Sequence, residues 1–388
     1  MKTLILGVGA VGQVIARHLA ESSRISLTVA DVDIRRLRRV KRLIKNRRVR
    51  IELLDASKPE YLTEVIKNHD LLLNASKPDF NLQLMEICLK NDVNYIDLAS
   101  DELEEQIAQD RRWKNKELLA LICLGEDPGL SNLYARYAAD KLDKVSEIRI
   151  RDGEVSKSRK HPIVVLFSPE VFFDEVLCPS YIYEDGEYKR LPPFGGHEIY
   201  YFPEPIGRQP VYSVNHEEVF TLPRFIRKGI RYVDFKLALS DELIQALKLF
   251  KKIGLLRARK LSVNGMKIAP KDVLFSLIPK PADVSRYIEG HAGLVVEVTG
   301  EKDGRIVTYT MYTLMSHVDA YKQFRTSATA YLTGTVPAVV AKMLAEEDIE
   351  GYGVMVPEQL DPEPIIEEVS ERAIHSYVKT SEGVIPLV

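Results

Sequence analysis

The chain has 388 residues, 45% of them hydrophobic and 28% charged, with a formal net charge of −2. That length suggests two domains, the near-neutral balance excludes a global attraction to nucleic acid or anionic membrane, and no apolar run is expected to span a bilayer. Cys88, Cys123 and Cys178 form no C-x-x-C pair and no basic leader precedes the first strand, so thiols in a reducing cytoplasm are expected rather than disulfides.

The chain begins M-K-T-L-I-L-G-V-G-A-V-G, a short apolar run followed by Gly7, Gly9 and Gly12 in G-x-G-x-x-G spacing. A strand Thr3–Leu6 precedes the glycines. A helix follows, with Val11, Val14, Ile15, His18 and Leu19 at helical spacing. A second strand, Leu27–Ala30, ends in Asp31, nineteen residues past Gly12. In this setting the glycines read as a dinucleotide turn: Gly7 for the bend, Gly9 for close approach of a pyrophosphate, Gly12 for packing of helix on strand. The N–H groups of Gly9, Ala10, Val11 and Gly12 would meet the phosphates, and Asp31, with Val32 beside it, the adenosine ribose. Asp31 favours NAD. Arg35 or Arg36 could reach a 2′-phosphate and admit NADP, although Asp31 would repel a phosphate at that spot.

Ile34–Arg50 carries ten Lys or Arg residues. Leu37, Val40 and Ile44 keep helical spacing, so the stretch reads as the solvated face of an amphipathic helix. No aromatic residue interleaves, so neither nucleic acid nor membrane is expected as a partner. Strands at Val49–Leu54, Leu71–Asn74, Tyr95–Leu98 and Leu119–Cys123 alternate with helices such as Pro59–Lys67 and Asn81–Lys90. This predicts an α/β fold, a doubly wound parallel Rossmann sheet, over residues 1–130.

Beyond Asp143 the pattern becomes strand-rich. Val145–Arg151 alternates, and Asp185-Gly186, Asn264-Gly265 and Asp303-Gly304 read as hairpin turns. Gly293–Leu314 reads as a long antiparallel hairpin, with helices at Asp241–Ile253 and Lys271–Ile278. Residues 131–320 are therefore expected to form an α+β substrate domain with a mostly antiparallel sheet. Phe324–Ala345 is helix-compatible with a break expected around Gly334 and Pro337, and a last helix is expected at Ile365–Ile374.

Ligands of an open doubly wound sheet bind beyond the carboxyl ends of its strands. That selects Asp55 and Ala56 beside the adenine, Asn74, Ala75 and Ser76 along the cofactor's middle with Lys77 next to them, Asp97 after the fifth strand, and the loop Gly125–Leu130 with Glu126 and Asp127. Asp127 is equally readable as a helix N-cap or as a catalytic acid. Farther on, the loop Pro192–Pro205 holds Gly195, Gly196, His197 and Tyr201. His216, Glu217 and Arg224 could meet a zwitterionic substrate. No H-E-x-x-H or Cys/His cluster occurs, so no metal is expected.

The glycine fingerprint, N-A-S-K-P-D-F-N at Asn74–Asn81, V-N-Y-I-D-L at Val93–Leu98, G-E-D-P-G-L-S-N at Gly125–Asn132, A-T-A-Y-L-T-G-T-V-P-A-V-V-A-K-M-L at Ala328–Leu344 and G-Y-G-V-M-V-P-E-Q at Gly351–Gln359 resemble the saccharopine dehydrogenase family. Val263–Leu274 leans toward its lysine 6-dehydrogenase branch, while the D-P-G at Asp127–Gly129 is similar to saccharopine-type and carboxynorspermidine-type members. Lys77 stands where the family commonly has an uncharged residue. The resemblance implies a C-terminal segment, about 320–388, folded back onto the Rossmann half. It also implies NAD(P)-dependent oxidation or formation of a C–N bond on lysine or a lysine adduct, with imine hydrolysis. The alternatives are a carboxyspermidine- or carboxynorspermidine-type dehydrogenase, or an NAD(H)-binding regulatory protein without turnover. Asp127 is the implied base. His216 is second by chemistry, and Lys77 could act as an acid or bind a substrate carboxylate. Glu126 and Arg224 are the expected substrate ligands, and a small-molecule amino acid is the expected substrate. Relatives' habits imply a homodimer, with Gly293–Leu314 extending a sheet across a two-fold axis.

Overall fold

The computed structural model describes residues 1–44, 48–381 and 383–387; Lys45 and Arg47 of the basic stretch lie outside the described residues. A seven-stranded sheet runs in the spatial order Arg50–Leu53, Ser26–Asp31, Lys2–Leu6, Leu71–Asn74, Asn94–Asp97, Leu119–Leu121, Gly353–Met355, with every neighbouring pair parallel. Its central strands are apolar throughout because helices cover both faces: Leu4, Ile5, Leu71, Leu72 and Leu73 are fully buried. Strand order reverses at Lys2–Leu6, which places the glycine turn at the switch point.

The second sheet has eleven strands and is antiparallel except where Lys144–Asp152 pairs with Tyr232–Ala238. All three expected hairpin turns form. Asp185, Asn264 and Asp303 take positive φ, as do Gly186, Gly265 and Gly304 after them, which is the geometry of a two-residue I′ turn. The Asn264-Gly265 hairpin stands apart as a two-stranded sheet.

Four expectations are corrected. The hairpin Ile288–Lys302/Arg305–Ser316 is interior to its sheet: Lys144–Asp152 lies on one side, and Ser376–Thr380 pairs with Thr310–Thr313 on the other. Those edges are taken, so this hairpin does not extend a sheet along them into a second copy. Among the described residues, Glu187–Leu191, Gly383–Pro386, Glu198–Tyr201 and Val155–Ser158 each pair on one side only. Second, the segment 320–388 divides. Gly353–Met355 joins the parallel sheet, but Ser376–Thr380 and Gly383–Pro386 join the other one.

Third, Ala328–Glu346 is one unbroken helix with Pro337 inside it. Proline there forfeits one backbone bond, and the packing around the helix outweighs that loss, with Val336, Val339, Val340 and Ala341 all at or below 1% exposure. Gly334 is the crossing point with helix Ala10–Leu19: a Cβ there would lie 2.8 Å from Val14 Cβ and 3.0 Å from Val11 O. Fourth, this helix is long and apolar enough by composition to cross a membrane, with a mean hydropathy of 1.2, though 72% of that window is buried within the fold.

Candidate functional site

The glycine turn is built as its spacing requires. Gly7 has φ +92°, and a Cβ on it would lie 2.6 Å from Ala75 O; one on Gly12 would lie 2.0 Å from Gly7 O. Above Gly9 there is nothing within 4 Å. Gly9 is the N-cap of helix Ala10–Leu19, no side chain caps it, and the first closing bond is Gln13 N–H to Gly9 O at 3.3 Å. The N–H groups of Ala10, Val11 and Gly12 precede any intrahelical acceptor. An open space over bare helix-terminal donors fits a dinucleotide pyrophosphate.

The residues at the strand tips have mixed roles. Asp31 is 3% exposed. Its Oδ2 accepts Val8 N–H at 2.9 Å, its Oδ1 accepts Asp33 N–H at 2.8 Å, and Arg36 Nη1 lies 3.6 Å from Oδ2. It is thus a buried clamp on the glycine turn. Val32 beside it is exposed, while Arg35 is turned to Asp33. Asp55 Oδ1 accepts Ser57 N–H at 3.0 Å, and Ala56 is buried. Asn74 shapes its loop: Oδ1 accepts Ser76 N–H at 3.0 Å and Nδ2 donates to Asn81 Oδ1 at 2.7 Å. Ala75 backs against Gly7. Asp97 points into the interior, where Oδ1 accepts Cys123 N–H at 2.8 Å and Oδ2 accepts from Gln106 Nε2 at 2.7 Å. Burial pushes its carboxyl up to about 7. It holds the ends of two strands together.

The ends of the second sheet face these tips across a cleft, and Ser100 N–H donating to Glu217 Oε1 at 2.6 Å joins the two sides. The loop Gly125–Gly129 does not use Asp127 as a helix cap. The N-cap of helix Leu130–Asp140 is Gly129, and Asn132 Oδ1 accepts Gly129 N–H at 2.9 Å, so Asp127 does not cap. Its carboxyl instead lies beside Asp152, the last residue of strand Lys144–Asp152. Burial, then the charges of Asp152, Glu126, Glu218 and Glu175, push Asp127 well above the carboxylate range. Burial and then Glu154 push Asp152 up to about 8, with His216 opposing. Glu175, on helix Pro169–Leu177, is raised by burial to about 8. Glu126 is 3% exposed and is raised by burial, Asp152 and Glu154. Carboxyls a few ångströms apart cannot all ionise, so the Asp127–Asp152 pair keeps a proton near neutrality and can give it up or take it back there.

His216 stacks on Phe235, with ring centroids 3.7 Å apart and planes at 4°. Its Nδ1 is hydrogen-bonded to Glu218 Oε2, and Glu218, fully buried, accepts the Ser131 hydroxyl at 2.6 Å on its other oxygen. Burial acts to lower the imidazole, but Glu218, then Glu217 and Glu175, outweigh it and raise it to about 10. His216 is therefore an imidazolium at neutral pH. Among the described residues, His216, Glu217 and Glu218 offer ligand atoms within 4.8 Å of one another.

Two expected site residues lie elsewhere. Arg224 sits on the exposed face of helix Glu218–Ile226, 3.1 Å from Glu104, whereas Glu218, Thr221 and Leu222 face inward; it is not in the cleft. Lys77 is half-exposed and 3.4 Å from Glu170 Oε1 on helix Pro169–Leu177, so it bridges the two sides rather than joining the acid pair. The loop with His197 and Tyr201 is also outside: His197 packs on Tyr212, and Tyr201 is exposed. Sequence reasoning missed Asp152, Glu154, Glu175 and Glu218. The one local signal was Asp152-Gly153 closing the first strand of the second sheet, where a Cβ on Gly153 would lie 2.8 Å from the Phe202 ring.

Residues 3–121 match the saccharopine dehydrogenase NADP binding domain, and residues 125–374 match the saccharopine dehydrogenase C-terminal domain. The chain is 26% identical over 385 residues to carboxyaminopropylagmatine dehydrogenase of Synechocystis sp., covering 96% of each. It is 28% identical over 397 residues to carboxynorspermidine synthase of Vibrio cholerae, covering 95% of this chain and 94% of that one. Its fold matches apo saccharopine dehydrogenase (L-Glu forming) from Saccharomyces cerevisiae with a TM-score of 0.73 at 16% identity, covering 98% and 99%. Homospermidine synthase from Legionella pneumophila in complex with NAD gives 0.70 at 18%, covering 95% and 89%. With both domain models spanning the glycine turn and the acid-lined cleft, the chain belongs to the saccharopine dehydrogenase family and is an NAD(P)-dependent oxidoreductase acting on CH–NH groups.

Proposed function

We propose that the chain oxidises, or in reverse forms, the C–N bond of a carboxylated di- or polyamine, in preference to lysine or saccharopine. One observation carries this reading: Asp127, Asp152, Glu154, Glu175, Glu217 and Glu218 gather around one cation, His216, among the described residues. Carboxyls held protonated by burial and by one another, and able to ionise against an arriving ammonium, select a polycationic amine over a substrate rich in carboxylates. The names of the curated relatives agree with this class.

NAD(P), when bound, supplies the hydride acceptor or donor. The protein does the rest. The amine must be neutral to lose hydride, and the Asp127–Asp152 pair takes its proton; water then adds to the imine carbon, and the pair returns a proton to the amine that departs as the carbonyl forms. His216, clamped by Glu218 and Phe235, is the cation for the substrate's single carboxylate. The reading includes NAD as the preferred nucleotide, on the negative charge of Asp31. It also includes a homodimer using the free edge Gly383–Pro386, where Val384 and Ile385 are 50% and 62% exposed. Light scattering at twice the 44.1 kDa chain mass checks that assembly.

The test supplies the purified protein with carboxynorspermidine, saccharopine or lysine, each with NAD or NADP, and follows nucleotide reduction by absorbance. The expected result is a kcat/KM for carboxynorspermidine about tenfold or more above the others, with Asp127→Asn lowering kcat by about 100-fold or more. Better turnover of saccharopine or lysine overturns the reading.

A further inference from the structure

Glu154 follows Gly153 where the chain leaves strand Lys144–Asp152, and its side chain is 19% exposed. Its Oε1 lies 3.1 Å from His317 Nε2, and its Oε2 accepts the hydroxyl of Thr329. His317 is fully buried, and its other ring nitrogen, Nδ1, accepts Ala328 N–H at 3.2 Å. That bond fixes the tautomer. Nδ1 is the acceptor, so Nε2 carries the proton and donates it to Glu154.

These donors are themselves held. Ala328 and Thr329 open helix Ala328–Glu346, whose N-terminus is capped by Ser327 Oγ accepting Ala330 N–H at 3.3 Å. One and a half turns on, Gly334 locks the same helix against Val11 and Val14 of the glycine-turn helix. The helix is a rigid strut that sets Glu154 relative to the dinucleotide turn. Each carboxylate oxygen receives one hydrogen bond from behind and keeps lone-pair capacity on the cleft side. There, the Glu154 charge bears on Asp152 and Glu126.

We infer that Glu154 is a specificity-determining residue: its carboxylate receives the ammonium of the substrate that does not react, with His317 and Thr329 as the positioning residues that aim it. The inference rests on the amine chemistry proposed above. A carboxylate with two neutral donors behind it and an open side in front gains most from a cation, and that cation holds the reacting C–N bond in register with the Asp127–Asp152 pair.

Calorimetric titration of 1,3-diaminopropane and of propylamine into the full-length protein, with oxidised nucleotide present, tests this. Wild type is expected to bind the diamine about tenfold or more tighter than the monoamine. Glu154→Gln brings that ratio below about threefold, and Thr329→Val lowers it part of the way. A wild-type ratio near one overturns the inference, as does a ratio that Glu154→Gln leaves within about twofold of wild type, even if both amines weaken. If Glu154→Gln fails to fold, Thr329→Val decides: an unchanged ratio overturns the inference. Absence of turnover of every amine substrate by wild type removes the proposed function, and the binding ratio still decides on Glu154.

Discussion

Two glycines of the N-terminal turn differ in what a methyl group would meet, and the difference separates folding from cofactor binding. Above Gly9 there is open space, and its φ of −67° suits any residue. A Cβ on Gly12 would sit 2.0 Å from Gly7 O, a backbone atom that cannot step aside without remaking the turn. Gly9→Ala is therefore expected to keep stability within about 1 kcal/mol of wild type while weakening NADH binding by about tenfold or more, because the methyl occupies the pyrophosphate's approach. Gly12→Ala is expected to lower stability by about 3 kcal/mol. Urea denaturation and NADH fluorescence titration of both variants check this; a stable Gly9→Ala that binds NADH as wild type does removes the pyrophosphate assignment. Asp127 makes a related point at the same scale. Its neighbour Gly129 caps the helix, which leaves the Asp127 carboxyl for Asp152.

At the scale of elements, helix Ala328–Glu346 does the most to join the parts. It lies on helix Ala10–Leu19 at Gly334, beside the dinucleotide turn, and its first turn holds Glu154 at the cleft. Gly334→Ala puts a Cβ 2.8 Å from the β-branched Val14, so the helices must separate. A loss of about 1–3 kcal/mol is expected, with weaker NADH binding alongside it; thermal unfolding with and without NADH reports both. The same helix shows where the sequence was legible. The three hairpin turns could be read because positive φ at two successive residues is a local demand that Asp-Gly and Asn-Gly meet. The strand tips followed likewise from the glycine spacing. Pro337 suggested a break because a lone helix would suffer there, but burial on all sides holds it. Gly353–Met355 is three residues long and exists as a strand only because Leu119–Leu121 lies beside it. Arg224 and Glu218 share one helix and differ only in the face they occupy. The carboxylates of the second sheet are far apart in sequence, and nothing local distinguishes them from solvated charge.

For the whole molecule, the gathered carboxyls make stability and binding depend on protons. Asp152 and Glu175 are held up to about 8, and Asp97 and Glu358 up to about 7, in each case by burial first. In the unfolded chain such groups titrate near about 4. Between these limits the folded protein binds more protons than the unfolded one, so stability falls as pH rises. The contribution is complete below about pH 4 and is lost as pH climbs through about 7–8. His216, raised to about 10, has the same sign: its contribution is complete below about pH 6.5 and lost as pH passes through its folded value. The melting temperature is therefore expected to drop steadily from pH 5.5 to pH 9, and a cationic amine in the cleft should oppose the drop. An ammonium beside Asp152 and Glu175 favours their ionised forms, so amine binding must expel protons near neutrality and tighten as pH rises. Titration of 1,3-diaminopropane at about pH 7 in phosphate and in Tris, whose ionisation enthalpies differ widely, measures the count directly. Release of about one proton or more per amine bound is expected. No release, or uptake, would mean that the amine does not reach these carboxyls, and the acid-lined cleft would lose its assigned ligand.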